Sequence, residues 1–126
     1  MRIPITRRFS DLDPLGHVNN VAYHDYLQEA RMGLIGELDA VVNAEYAQIV
    51  VEQHIKHVKP LEFDPAPISV DISVGDMART SYTITYVMRD EKDEIVAEAT
   101  TRMAVVDARS GRPIRIPDDL RARLVG

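Results

Sequence analysis

The chain has 126 residues, of which 45% are hydrophobic and 28% are charged, and it contains no cysteine. This length suits one domain with a buried core, and the composition is that of a globular protein rather than a disordered or fibrous one. Without cysteine, disulfides, thiolate catalysis and zinc–thiolate sites are excluded. The formal net charge of -5 argues against general nucleic-acid binding, which relies on a dense basic surface.

The sequence shows no targeting or membrane-spanning pattern. Its first residues lack the long apolar core of a signal peptide, and no later run approaches the length of a membrane span. We therefore expect a cytoplasmic protein that does not act at a membrane.

The first predicted element is a short strand. Ile3, Ile5 and Phe9 fall on one side of an extended segment, which predicts a strand over residues 2–9. Pro4 lacks a backbone donor and therefore favours an edge position. A turn-rich segment then leads to the next element.

One long helix is predicted, from about Asn19 to Leu38. Its apolar residues recur at spacings of three and four, and Asn19 or Asn20 is suited to cap its first amides. Further apolar residues lie off the main stripe: Val21, Ala22, Met32 and Ile35. Because they occupy more than one face, we expect the helix to be enclosed by a sheet.

Strand patterns fill most of the remaining chain, at 49–58, 68–74, 82–88 and 95–106. The last of these is rich in β-branched residues and alanine, which predicts burial on both faces. The charged connector from Arg89 to Glu94 suits a hairpin. Asp118 is placed to cap a short final helix that carries Leu120 and Leu124.

This order of elements predicts an α+β fold. An early long helix followed by a meander of strands indicates that the helix lies centrally on an antiparallel sheet of five or six strands. No internal repeat, linker or low-complexity tract divides the chain, so residues 1–126 are expected to form a single domain.

Candidate chemistry is concentrated in the segment from Asp11 to Tyr23, DLDPLGHVNNVAY. A glycine-containing turn with two carboxylates, a histidine and two asparagines leads directly into the N-terminus of the predicted helix. That end presents unpaired amides and a partial positive charge, which suit a developing oxyanion. A carboxylate just upstream can act as a general base or nucleophile toward a carbonyl held there. The segment is therefore compatible with an acyl-transfer site.

The same segment strongly resembles the 4-hydroxybenzoyl-CoA thioesterase-like branch of the hot-dog superfamily. That family carries a motif of the form D-x-D-x-x-G-H-V-N-N-x-x-Y. Every fixed position is met here: Asp11, Asp13, Gly16, His17, Val18, Asn19, Asn20 and Tyr23. The Ala30-Arg31 pair later in the helix, the strand order and the closing DARSGRPIRIP segment also resemble the family, so the likeness extends over nearly the whole chain.

The resemblance implies an acyl-CoA thioesterase of the hot-dog fold. It makes Asp13 the catalytic carboxylate, as nucleophile or general base, and the backbone amide of Asn20 the group that polarises the thioester carbonyl. His17 holds the position that orients or polarises reacting groups in related acyl-carrier-protein thioesterases. Those relatives also carry an asparagine where this chain has Leu15, which makes acyl-carrier-protein substrates less expected.

The resemblance also bears on substrate contacts and assembly. Gly16, Asn19 and Tyr23 are expected at the substrate side of the site. Coenzyme A is part of the substrate, so neither a separate cofactor nor a metal is expected. The family implies a homodimer or homotetramer. Four basic residues are candidates for the coenzyme A phosphates, and none is singled out: Lys59, Arg79, Arg102 and Arg112.

Simpler interpretations remain for several of these residues. Aspartates are common in turns, and Asp11 is assigned such a structural role. The segment also resembles a calcium loop, but Leu15 and Ala22 stand where that loop needs oxygen ligands. His54 and His57 are three residues apart on a predicted strand, so they should point to opposite faces rather than share a metal.

Two rival functions stay open. A hot-dog dehydratase or hydratase would use an aspartate and a histidine at a different spacing. A non-catalytic acyl-CoA-binding module would not need a carboxylate beside the thioester. Binding without hydrolysis, tested over several acyl chain lengths, would favour the binding module.

Overall fold

The computed structural model describes residues 1–37 and 45–125. Its elements are β1 (Arg2–Ile5), a 3-10 turn (Phe9–Asp11), α1 (Asn20–Glu37), β2 (Tyr46–His57), β3 (Ile68–Gly75), β4 (Ser81–Arg89), β5 (Ile95–Asp107) and α2 (Asp118–Val125). The strands form one antiparallel sheet in the order β1-β3-β4-β5-β2. The predicted α+β hot-dog fold, with an antiparallel sheet of five or six strands, is confirmed, and the sheet has five.

Helix α1 lies with one face on the sheet. Tyr26, Leu27 and Ala30 are almost completely buried and join the buried side chains of β3, β4 and β5 in one hydrophobic core. The sheet was expected to enclose the helix, and within the single chain it covers the inner face and leaves the outer one exposed. Val21 is 72% exposed and Met32 is 43% exposed, because the sheet covers only one side of the helix. The predicted helix end at Leu38 and the side chain of Ile35 lie outside the described residues.

Strand β1 is shorter than predicted. The register aligns Ile5 with Ile68, the first residue of β3, so no partner strand remains for the residues that follow. The backbone then turns, and Phe9 is 78% exposed, with its ring edge-on to Phe63 at 5.9 Å. The predicted strand over 2–9 is therefore wrong beyond Ile5, whereas the edge position of Pro4 is confirmed.

Strand β5 pairs with both β4 and β2 but is buried mainly on one face. Glu98 and Thr100 are exposed at its centre, which contradicts the expected burial on both faces. The β-branched composition reflects strand propensity here, because α1 covers only one side of the sheet. The predicted hairpin connector and the short final helix are both confirmed, with Leu120 and Leu124 buried.

Candidate active site

Asp11 fixes the turn that precedes the candidate site. Asp11 is 6% exposed, and its carboxylate accepts hydrogen bonds from the Arg8 amide at 3.0 Å and from the Tyr26 hydroxyl at 2.5 Å. Burial by itself raises the pKa of Asp11, but the hydrogen bonds from Tyr26 and Arg8 outweigh it and hold that pKa below its ordinary value. Asp11 therefore has the structural role assigned to it.

Asp13 is held by the loop that follows it. Its Oδ1 accepts hydrogen bonds from the amides of Leu15 at 2.9 Å and His17 at 3.1 Å. The Asp13 amide donates to the His17 carbonyl at 2.7 Å, and the loop closes through Gly16, whose φ of +81° favours glycine. The second carboxylate oxygen, Oδ2, accepts no hydrogen bond from any residue that the structure describes. One oxygen thus orients the carboxylate and the other is available.

The N-terminus of α1 is capped by Asn19. Its Oδ1 accepts the Ala22 amide at 2.9 Å, and its Nδ2 donates to the Asp11 carbonyl at 2.8 Å. In the described part of the chain, the amides of Asn20 and Val21 have no acceptor, as expected for the first turn of a helix. The helix therefore presents free donors and a partial positive charge beside the loop that carries Asp13.

The loop, the helix and the end of β2 enclose a cavity of about 290 Å³. Its lining residues are Asp13, His17, Val18, Asn20, Tyr23, His57, Val58, Lys59 and Pro60. Four of the six candidate site residues thus come together on one cavity. The other two do not line it: Asn19 caps the helix, and Gly16 lies in the exposed turn.

Tyr23 forms part of the cavity wall from the first turn of α1. It is 2% exposed, and its ring lies edge-on to the His57 ring at 4.6 Å. Burial raises the pKa of the Tyr23 phenol, and the Leu61 amide offsets part of that effect. The phenol therefore stays protonated at neutral pH and can act as a donor.

Within the wall formed by residues 57–60, only Lys59 was a candidate from the sequence, as one of four basic residues for the coenzyme A phosphates. The Val18 amide donates to the Leu61 carbonyl at 2.7 Å, and the Val58 amide donates to the Val96 carbonyl at 2.9 Å. These bonds hold the end of β2 against the loop that carries Asp13. The prediction that His54 and His57 point to opposite faces is confirmed, because His54 lines a separate pocket with Glu98.

Among the residues that the structure describes, no group of three or more histidine, aspartate or glutamate side chains is arranged to hold a metal ion. In the same residues, no helix is long and apolar enough to span a membrane.

A long helix on a five-stranded antiparallel sheet, with a carboxylate loop at the helix N-terminus, defines a hot-dog protein of the thioesterase type. The sequence model of the thioesterase-like superfamily matches residues 7–124, which is most of the chain. The chain belongs to this superfamily and is an enzyme of the thioesterase class.

Solved structures of similar fold come from several bacteria. The PA5185 protein of Pseudomonas aeruginosa is 27% identical with a TM-score of 0.88, covering 99% of this chain and 89% of that one. The PA2801 protein of the same organism is 27% identical with a TM-score of 0.87, covering 96% and 95%. A thioesterase of Thermus thermophilus, complexed with coenzyme A and Zn, is 24% identical with a TM-score of 0.83, covering 98% and 90%. At that identity the last likeness is one of fold.

Proposed function

We propose that the chain hydrolyses an acyl-CoA thioester to the free acid and coenzyme A. The observation that carries this proposal is that the Asp13 carboxylate and the free N-terminal amides of α1 belong to one cavity. A thioester carbonyl needs a nucleophile or base on one side and donors for its oxyanion on the other. The coenzyme A bound to the structurally similar Thermus thermophilus thioesterase supports the choice of carrier.

Asp13 acts by one of two routes in this proposal. As a nucleophile, its oxygen attacks the thioester carbonyl and the thiolate leaves. Water then hydrolyses the mixed anhydride, which releases the acid and restores the carboxylate, and the proton given up by the water goes to the thiolate. As a general base, it takes a proton from a water that attacks the carbonyl, and that proton then goes to the departing thiolate. Both routes consume one water and regenerate Asp13.

The Asn20 amide is the proposed donor to the oxyanion. It lies at the helix N-terminus, where it has no acceptor among the described residues, so it does not have to break a hydrogen bond to meet the substrate. A donor of this kind contributes about 3–4 kcal/mol to transition-state stabilisation. His17 and Tyr23 line the same cavity and are assigned to orienting the thioester.

The remaining two candidates support the site without lining its cavity. Asn19 caps the helix that supplies the amides, and Gly16 allows the loop to close on Asp13. The proposed chemistry needs only substrate and water, with coenzyme A as part of the substrate.

We also propose that the chain forms a homodimer. β2 is an edge strand of 12 residues, and it exposes Ile49, Val50 and Val51. A long apolar edge of this kind is suited to pairing with another strand, and natural proteins seldom leave one open. Sedimentation analysis of wild type and Val51→Lys tests this point, and a monomeric wild-type protein would contradict it.

The decisive experiment measures thiol release from short, medium, long and aromatic acyl-CoAs. Asp13→Asn should lower kcat by orders of magnitude and leave folding intact, because the asparagine Oδ1 can still accept the two loop amides. Asp25→Asn is the matched control, since Asp25 lies on the exposed side of α1. A fully active Asp13→Asn enzyme would refute the assignment, and binding without any release would favour the binding module.

A further inference from the structure

A cluster of polar side chains lies between α1 and the sheet, further along the helix from the candidate active site. Arg31 of α1 donates through Nη1 to Gln53 Oε1 at 3.3 Å and to the Tyr86 hydroxyl at 3.2 Å. The Tyr86 hydroxyl donates to Thr101 Oγ1 at 2.8 Å, and the Thr101 hydroxyl donates to Gln53 Oε1 at 3.1 Å. The Gln53 amide also contacts the His24 ring. These bonds form one network of neutral groups around the guanidinium of Arg31.

Most of this cluster is removed from solvent. Thr101 is 0% exposed and Tyr86 is 1% exposed, and Arg31 and Gln53 are half-buried. Burial also raises the pKa of the nearby Tyr82 phenol, while the Arg31 guanidinium acts in the opposite direction. A helix packed on a sheet ordinarily meets it through apolar side chains, so a polar cluster at this depth is unusual.

Arg31 has no anionic partner among the residues that the structure describes. Both of its hydrogen bonds run through Nη1 to neutral acceptors, and it forms no ion pair there. Its Nε and Nη2 have no acceptor in the same residues, and neither nitrogen is fully buried. Arg7 is the contrast, because its buried guanidinium meets the Glu91 carboxylate at 2.8 Å. The open edge of Arg31 is therefore available to a carboxylate, for which a guanidinium is the best-matched donor.

The cluster and the candidate active site lie along the same side of α1. Asn20 and Arg31 are eleven residues apart. Their side chains therefore leave the helix within about 20° of each other and about 16 Å apart along its axis. Strand β2 runs beside this line: His57 contacts Tyr23 at the active site, and Gln53, on the same face of the strand, contacts Arg31. The two contacts mark the ends of one groove between α1 and β2.

The floor of this groove is apolar between its two ends. Leu27, which lies on α1 between Asn20 and Arg31, is 1% exposed, and Ile55 of β2 packs against the same core. Side chains on a helix lean toward its N-terminus, so the Arg31 guanidinium lies roughly 10 Å from Asn20, about the length of an extended eight-carbon chain. The groove thus has a reactive end, an apolar middle and a cationic end.

We infer that this groove holds the acyl chain and that Arg31 binds a carboxylate at its far end, so that the substrate is the coenzyme A monothioester of a medium-chain dicarboxylic acid. This inference rests on the proposed function and names the substrate class. The reacting carbonyl lies near Asp13 and Asn20, and the methylene groups of the chain cover the apolar floor. The terminal carboxylate pairs with the open edge of Arg31. A chain that ends in a methyl group would instead leave the guanidinium unpaired beside an apolar group.

The test compares three thioesters of equal length, octanoyl-CoA, 8-hydroxyoctanoyl-CoA and suberyl-CoA, which end in a methyl group, a hydroxyl and a carboxylate. The wild-type kcat/KM should be about tenfold or more higher for suberyl-CoA than for octanoyl-CoA, because only the carboxylate forms charged hydrogen bonds. Arg31→Gln should remove this preference by raising the KM for suberyl-CoA much more than the KM for octanoyl-CoA. Arg31→Lys keeps the charge and should retain part of the preference.

Arg2→Gln is the matched control. It removes the same charge from an exposed side chain on β1, at the opposite edge of the sheet from β2, and should keep the wild-type preference. The free acids separate this inference from the proposed function. In isothermal titration, suberate should bind wild type more tightly than octanoate, and Arg31→Gln should remove the difference, whether or not any thioester is hydrolysed. Thiol release that depends on Asp13 reports separately on the function.

Several results would overturn the inference. Equal wild-type kcat/KM for octanoyl-CoA and suberyl-CoA would mean that the groove has no carboxylate site. A preference that survives Arg31→Gln would place the carboxylate elsewhere, and an equal loss on all three thioesters would show that Arg31 only supports the fold. Equal kcat/KM for 8-hydroxyoctanoyl-CoA and suberyl-CoA would show that the cluster recognises a neutral hydrogen-bonding group rather than a dicarboxylic acid.

Discussion

The hydroxyl of Tyr26 donates a 2.5 Å hydrogen bond to Oδ2 of Asp11. Tyr26 is 1% exposed and Asp11 is 6% exposed, so the contact lies beneath the site rather than in it. The Asp11 carbonyl also accepts the amide and the Nδ2 of Asn19, both at 2.8 Å. Asp11 therefore ties the loop of the site to both the start and the buried face of α1.

Tyr26→Phe should destabilise the fold by about 1–3 kcal/mol, because it leaves a buried carboxylate without one of its donors. Urea unfolding at neutral pH measures this change. Burial and the hydrogen bond to Asp11 raise the pKa of the Tyr26 phenol, so it remains the donor throughout the accessible pH range. A double-mutant cycle with Asp11→Asn isolates the pair, and a coupling energy near zero would contradict the assignment.

The stability contributed by Asp11 should depend on pH. Its pKa is lowered in the folded state, so its contribution is present above the ordinary carboxyl pKa of about 4 and is lost as the pH falls through the folded-state pKa. The difference in free energy of unfolding between wild type and Asp11→Asn should therefore be constant near neutral pH and shrink below about pH 4. Chemical denaturation at a series of pH values measures it. A difference that grew on acidification would have the wrong sign.

The features that sequence predicts well here are local ones. The helix follows from apolar spacing, and the cap at Asn19 follows from a side chain that reaches an amide three residues later. The loop around Asp13 is likewise closed by partners within four residues, so its shape depends mainly on neighbouring residues. The part of the site formed by the Asp13 loop and the N-terminus of α1 is therefore predictable from local sequence.

The other half depends on pairing between distant segments. His57 reaches the cavity only because the chain after β2 bonds to Val18 and to Val96. Strand β1 ends at Ile5 for a similar reason. Its length is set by Ile68, the first residue of its partner strand β3, and not by the alternating pattern that extends to Phe9. Hydrophobic periodicity shows that a face of a helix or strand is apolar, but not which other element packs against it. The outer face of α1 is an example, because its apolar residues are exposed.

The two adjacent asparagines should differ in their contribution to stability. Asn19→Ala removes the cap on the Ala22 amide and the bond to the Asp11 carbonyl, and should cost about 1–2 kcal/mol. Asn20→Ala is the matched control, because the Asn20 side chain is exposed and forms no hydrogen bond among the described residues. Thermal and urea unfolding of both variants measure the difference. Equal destabilisation would show that Asn19 is not the cap.

His57 should influence turnover although it lies outside the sequence motif. Its ring packs edge-on against Tyr23 at 4.6 Å and lines the cavity that contains Asp13. An edge-to-face contact of this kind is worth about 0.5–1.5 kcal/mol, so His57→Gln should lower kcat/KM for the preferred thioester about two- to tenfold. His54→Gln is the control on the same strand, since His54 faces the opposite side of the sheet. Steady-state kinetics of both variants decide the matter: equal rates would mean that His57 does not support the site, whereas a loss confined to His57→Gln would show that the Tyr23–His57 contact contributes to turnover.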